Sequence, residues 1–206
     1  MEVADARILL DPGTIAPDWD EVTDLDAVVI THQHPDHLDL DRLPGLLARN
    51  PDVPVLADPG SVAALANAGI PATLRAAEGE RVGEVRLTPV GELHALIHEE
   101  IPRIPNLGVR FDAEGEPSLY VPGDSLDGEP GDVDVLAFPL AAPWCRSREM
   151  TAFLRRFNAP VAVPVHDGIL SAAGRPIYLG QARSLGGADT EVRDLLGAGP
   201  VDFAAP

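Results

Sequence analysis

Short runs of consecutive apolar residues, punctuated by prolines and glycines, dominate the pattern of this chain. Ala6–Leu10 (ARILL), 27–31 (AVVIT), 53–57 (VPVLA), Val85–Val90 (VRLTPV), 107–111 (LGVRF), 118–121 (SLYV), 133–138 (VDVLAF) and Val161–Val165 (VAVPV) are the clearest. Runs this short and this β-branched predict strands, and 27–31, apolar almost throughout, predicts a strand buried on both faces. Helical signals fall between some of them. Segment 61–68 (SVAALANA) opens at Ser61 or Pro59-Gly60 and is followed by Gly69, where a C-terminal glycine belongs. In 148–158, Met150, Phe153, Leu154 and Phe157 recur at helical intervals. Segment 40–49 carries Pro44-Gly45, which predicts a helix only beyond that break. Strands and helices alternate, give way to a strand-rich middle, and alternate again. That order predicts a layered α/β protein with mixed sheets. No repeat or linker divides the chain, so residues 1–206 read as a single domain. The stretch after Tyr178 is rich in Gly and Ala, and 201–203 fits a last edge strand.

Composition narrows the chemistry. With 206 residues and 45% hydrophobic content the chain can bury a full core and is not a disordered one. No apolar run approaches the ~18 residues of a membrane span. The start, MEVADARILLDPG, lacks the basic region of a signal peptide. A single cysteine, Cys145, excludes a disulfide framework and a cysteine-based zinc knuckle. These features predict a cytoplasmic protein. The formal charge is −18, and all 15 cations are Arg. Without Lys there is no P-loop lysine and no Schiff base. Such an acid excess also argues against nucleic acid as a partner.

Three of the 6 histidines fall within Thr31-His32-Gln33-His34-Pro35-Asp36-His37, at the end of the AVVIT strand. Strand ends followed by loops are where α/β folds place their chemistry. Three imidazoles and a carboxylate this close are suitable donors for zinc or a similar transition ion. The competing reading is a solvated polar loop, but the pattern is long and specific for a chance match.

In these residues the sequence resembles the metallo-β-lactamase-fold hydrolases. The resemblance is carried, in order, by Leu10-Asp11-Pro12-Gly13, the THQHPDHLD block at 31–39, Gly91-Glu92-Leu93-His94, Tyr120-Val121-Pro122-Gly123-Asp124-Ser125 and Pro164-Val165-His166-Asp167. It implies a four-layer αββα sandwich of two mixed β-sheets, with metal at one edge. It further implies that His32, His34 and His94 hold one ion, that Asp36, His37 and His166 hold a second, and that Asp124 bridges them. The implied cofactor is Zn²⁺, one or two ions, with Mn²⁺ or iron as alternatives. Asp11 is implied to support the metal loop from beneath. Relatives usually carry about two strands before that aspartate, whereas ten residues precede it here. The resemblance therefore implies a shortened N-terminal hairpin, or an edge covered by a partner in a homodimer.

Other residues carry weaker signals. His98 competes with His94, but the Gly-x-x-His match after the strand selects His94 and leaves His98 at a rim. Ser125 lacks a nucleophile elbow. Asp167 reads as a cap for the next helix or a support for a histidine. Trp19 and Trp144 fit packing or a pocket wall. Cys145 reads as an ordinary half-buried thiol. Arg146, Arg148, Arg155 and Arg156 fit a solvated helix face, or a site for an anionic substrate group.

Two divalent ions would bring a shared water to hydroxide near neutral pH. The expected function is therefore metal-dependent hydrolysis of a small-molecule ester, lactone, thioester or amide, with Asp36 or Asp124 moving the proton. The alternatives are a phosphodiesterase or nuclease on the same site, iron-based oxygen chemistry or a lyase, and a non-catalytic metal-binding module.

Overall fold

The computed structural model describes residues 1–204, and twelve strands and four helices are found in it. The first sheet has five strands in the order β1 to β5, namely Glu2–Val3, Ala6–Leu10, Ala27–Ile30, Val55–Ala57 and Thr73–Leu74. β1 and β2 form an antiparallel hairpin, and β2 to β5 are parallel. The second sheet runs β12-β11-β10-β9-β8-β7-β6. Its antiparallel part is β6 (Glu80–Val82), β7 (Val85–Val90), β8 (Gly108–Asp112) and β9 (Leu119–Val121). Its parallel part continues through β10 (Val135–Pro139), β11 (Val161–Val165) and β12 (Glu191–Val192). Both sheets are mixed, as expected. The N-terminal hairpin is shortened, since β1 has two residues. So short an edge exposes little backbone for pairing with another chain.

The layers follow from the period of two along the strands. Val28 and Ile30 of β3 face outward onto helices α1 (Leu43–Arg49) and α2 (Pro59–Asn67), packing with Leu43, Leu46 and Leu65. Ala27 and Val29 face inward and meet Leu87, Val109, Phe111 and Ala137 of the second sheet. Leu136 and Phe138 of β10 point to the far side, against Met150, Phe153 and Leu154 of α3 (Ser147–Phe157) and Leu179 and Ala182 of α4 (Arg175–Leu185). Three buried apolar clusters thus fill the three interfaces of a four-layer αββα sandwich.

Local chemistry sets the helix ends. α1 begins at Leu43 and includes Pro44-Gly45 rather than starting beyond that break, because Pro44 falls in the first turn, where a missing N–H costs nothing. α2 starts at Pro59, the earlier of the two expected starts, because Asp58 is its cap, accepting from the N–H groups of Gly60 and Ser61. Two expectations fail. Residues 201–203 form no strand, and β12 is the edge instead. Asp167 caps no helix, because its carboxylate pairs with Arg175, which also holds Asp194 at 2.8 Å through two nitrogens.

Candidate metal centre

The site lies where β2, β3, β9 and β11 end. β3 delivers Thr31 and the histidine loop, β9 leads to Asp124, and His166 follows β11 directly. Two backbone constraints hold the loop. Gly13 packs so tightly beneath it that a Cβ there would lie 1.8 Å from the Asp36 carbonyl oxygen. Asp11 and His166 both adopt positive φ, 48° and 57°, a conformation that non-glycine residues keep only where the surroundings enforce it.

Seven side chains converge in two groups that share Asp124. His32, His34, His94 and Asp124 form one group, and Asp36, His37, Asp124 and His166 form the other, each with donor atoms within 4.8 Å of one another. In the first group His32 Nε2 lies 3.1 Å from His34 Nδ1, and His94 Nε2 lies 3.4 Å from Asp124 Oδ2. In the second, His37 Nε2 is 3.2 Å from Asp124 Oδ1, and His166 Nε2 is 3.3 Å from both Asp36 Oδ2 and Asp124 Oδ2. Ligands about 2.0–2.1 Å from a tetrahedral ion lie about 3.3 Å apart, so these spacings suit donors around one centre.

In His37, His94 and His166 the far side of the ring fixes its orientation. His94 Nδ1 donates to the Ala95 carbonyl at 2.7 Å, and His166 Nδ1 to the Ala141 carbonyl at 2.8 Å. His37 Nδ1 donates to Asp11 Oδ2 at 2.8 Å. The same carboxylate accepts from Thr31 N and Thr31 Oγ1, both at 2.8 Å. A carbonyl or carboxylate can only accept, so Nδ1 carries a proton and Nε2 is the nitrogen left to face a metal.

These inward atoms supply the test of fit for a metal. The Nε2 atoms of His37, His94 and His166, and Oδ1 of Asp124, are buried and have no hydrogen-bond partner. Leaving such groups unsatisfied costs about 1–3 kcal/mol each. A set of nitrogen and carboxylate donors aimed at shared points answers that cost if it holds divalent ions.

Without metal, charge is divided unevenly. Burial pushes the His32 pKa down to about 2, aided by the His37 charge. His34 is lowered for the same reason. Burial also opposes charge on His37, but Asp11 and Asp124 outweigh it and raise the pKa to about 10. His166 is raised to about 11 against burial by the Asp124 and Asp36 carboxylates that face it at 3.3 Å. The Asp36 carboxyl, facing the His166 imidazole, is held down at about 2. Asp124 also stays ionised despite burial, because three histidines face it.

Several supports carried no local sequence signal. Asn106, fully buried, accepts from Asp124 N at 2.9 Å and donates to the Pro122 carbonyl at 2.9 Å. Arg103 Nε donates to the His94 carbonyl at 2.6 Å. Arg75, also buried, donates to the Leu107 carbonyl at 2.9 Å, and Leu107 N in turn donates to Thr31 O. Trp144 Nε1 donates to Asp124 Oδ2 at 2.9 Å. Trp19 is packing instead, its indole donating to the Gly13 carbonyl under the Arg42 guanidinium. His98 is exposed and outside both ligand groups. Ser125 is buried, and its hydroxyl accepts from Asp127 N at 3.4 Å. Beside the centre runs a groove of about 680 Å³, walled by Trp144, Phe153 and the 95–99 segment. A smaller hollow of about 60 Å³ is lined by His34 and His94.

Residues 1–166 match the family described as the beta-lactamase superfamily domain. Protein Rv0786c of Mycobacterium tuberculosis is 39% identical over 193 residues, 93% of this chain and 90% of that protein. Isothiocyanate hydrolase from Delia radicum gut bacteria superposes with a TM-score of 0.72 at 15% identity, covering 100% of this chain and 95% of its own. CmlA, a diiron beta-hydroxylase from Streptomyces venezuelae, superposes with a TM-score of 0.57 at 16% identity, over 83% of this chain and 44% of its own. At such identities the structural likeness concerns the fold, and a fold alone does not select the chemistry.

Proposed function

The chain belongs to the beta-lactamase superfamily, and from that premise we propose that it is a metal-dependent hydrolase of a small, uncharged ester, lactone, thioester or amide. The observation that carries this reading is the pair of ligand groups meeting at Asp124, with inward donors that have no partner within the protein. Zinc is the proposed ion, and two ions the proposed number, held by His32, His34 and His94 on one side, Asp36, His37 and His166 on the other, and Asp124 between. Ions so held would supply an activated water and a Lewis acid for charge developing on substrate oxygen.

The protein's own residues contribute orientation and proton handling. Asp11, Ala95 O and Ala141 O hold the imidazoles in the ligating tautomer, so no reorganisation is needed at the reaction. Asp124 is enclosed and faces three histidines and Trp144, which suits it to a fixed bridge. Asp36 keeps 30% of its side chain exposed, against 4% for Asp124. Of the two carboxylates, Asp36 is therefore assigned the transfer of a proton to the leaving group. A lone, buried Cys145 suits a reducing, cytoplasmic setting. Among the described residues, no helix is long and apolar enough to cross a membrane.

The test is turnover by zinc-loaded and chelator-treated protein on lactones, thioesters, a cephalosporin and an activated phosphodiester. Chelator-sensitive cleavage of a carbonyl substrate, lost in the His32→Ala, His34→Ala double variant, is expected. Full activity of that variant, free of metal, would contradict the proposal.

A further inference from the structure

On the hydrolase reading, we propose that the groove beside Trp144 receives the apolar, uncharged portion of the substrate, and that Trp144 joins this groove to the metal centre through Asp124. The volume, about 680 Å³, lies in the usual small-molecule range of about 300–1,000 Å³. Its walls include Pro143, Trp144, Phe153, Leu126 and Ala152. The hollow that contains His34 and His94 shares Ala95, Ile97 and Arg103 with the groove. The two spaces adjoin along this segment, and on this proposal one molecule places its reacting group at the histidines and its body along Trp144.

The charges at the rim select against an anionic body. Arg103 faces Asp127 at 3.4 Å, Arg146 faces Glu149 at 3.8 Å, and Arg156 faces Glu129 at 3.7 Å. Arg103 also donates to the His94 carbonyl, and Arg156 to the carbonyls of Leu126 and Gly128. Each cation is matched by an acid, whereas recognition of phosphate is built on unmatched Arg or Lys. The segment along the opening presents exposed Leu96, Ile97 and Ile101, an aliphatic lip.

Trp144 occupies both places. Its ring lines the groove and stands edge-on to His94, with centroids 5.8 Å apart. Its Nε1–H holds Asp124 Oδ2, the oxygen that also faces His94 and His166. A turn from Ala142 to Cys145 fixes the residue in place. Trp144 is therefore a positioning residue for the bridging carboxylate as well as a wall of the groove.

The experiment uses full-length, zinc-loaded protein and p-nitrophenyl esters from acetate to octanoate, with bis(p-nitrophenyl) phosphate as the anionic counterpart. The expected result is a kcat/KM that rises with acyl length, with the phosphodiester well below every ester. Ala152→Trp, which fills the groove from α3, raises KM at least several-fold more for octanoate than for acetate and leaves zinc content unchanged. Trp144→Phe keeps a ring in the groove but removes the donor. It weakens zinc binding about tenfold by chelator competition, with a smaller change in octanoate KM. In a Trp19→Phe background, Trp144 emission shifts on zinc titration. Equal KM changes for all esters in Ala152→Trp would overturn the groove assignment. Wild-type zinc affinity in Trp144→Phe would overturn the link to Asp124. A metal-loaded wild type that cleaves none of these esters overturns the groove assignment, one that also cleaves no lactone, thioester or cephalosporin overturns the hydrolase reading, and zinc binding by Trp144→Phe decides the contact with Asp124 in either case.

Discussion

Removing the Asp11 carboxylate tests how the metal centre is held. Asp11 touches none of the proposed ion positions, yet its two oxygens accept three hydrogen bonds of 2.8 Å, from Thr31 N, Thr31 Oγ1 and His37 Nδ1. The last fixes the tautomer of a proposed ligand. Loss of such a support typically lowers metal affinity by about 10–100-fold, or about 1.4–2.8 kcal/mol at 1.4 kcal/mol per decade. That range agrees with the ~1.5–3 kcal/mol expected of a hydrogen bond to a charged group. Asp11 also has a φ of 48°, so Asp11→Ala adds backbone strain to the lost acceptors. Asp11→Asn separates the two effects. Asn tolerates positive φ and can still accept from Thr31 N with its one oxygen, but its amide nitrogen would then face Thr31 Oγ1 and the His37 Nδ1–H. The expected outcome is an equal loss of zinc affinity in both variants by chelator competition, with a larger fall in thermal stability for the alanine. Zinc affinity of Asp11→Asn within twofold of wild type would refute the reasoning.

Three further outcomes follow from the geometry. His37 and His166, with pKa values raised to about 10 and about 11 by their carboxylates, are protonated at pH 7 in the metal-free protein and must lose those protons to ligate. Zinc binding should therefore release about two protons, and apparent affinity should rise about tenfold per pH unit for each; calorimetry in buffers of different ionisation enthalpy reads this, and a buffer-independent enthalpy would count against it. Gly13→Ala would force the new Cβ against the Asp36 carbonyl, at a cost of about 2 kcal/mol or more in stability together with weakened metal uptake; denaturation and metal analysis check both. The Cys145 thiol, pushed up to about 11 by burial, should react far more slowly with an aromatic disulfide reagent in native protein than in urea.

Much of this fold was legible because central strands buried on both faces read as continuous apolar runs, as β3 and β10 do. Strands β1, β5, β6 and β12 have two or three residues and, unlike the equally short β4 and β9, no continuous apolar run. Helix α4 escaped because, of its eleven residues, only Leu179 and Ala182 are buried and Gly180 interrupts them. By contrast α3 buries Met150, Phe153 and Leu154 on one face. The seven proposed ligands were readable because four sit in one loop and the others end strands behind short motifs. Their supports were not. Asn106 reaches Asp124 across 18 positions, Trp144 across 20, and Arg75 reaches Leu107 across 32. The first two join loops at strand ends of the second sheet and the third bridges the two sheets, and no local spacing announces them. The solvated face expected for the arginines around α3 is found, since Arg146, Arg148, Arg155 and Arg156 are all exposed. Arg146 and Arg156 line the groove, while Arg155 Nε donates to the Leu185 carbonyl.

The central claim is that two ligand groups meet at one carboxylate. Anomalous scattering from crystals grown with zinc tests it most directly. Two peaks flanking Asp124 are expected, one among His32, His34 and His94 and one among Asp36, His37 and His166. No peak in either group, or zinc bound elsewhere with both groups empty, would contradict it.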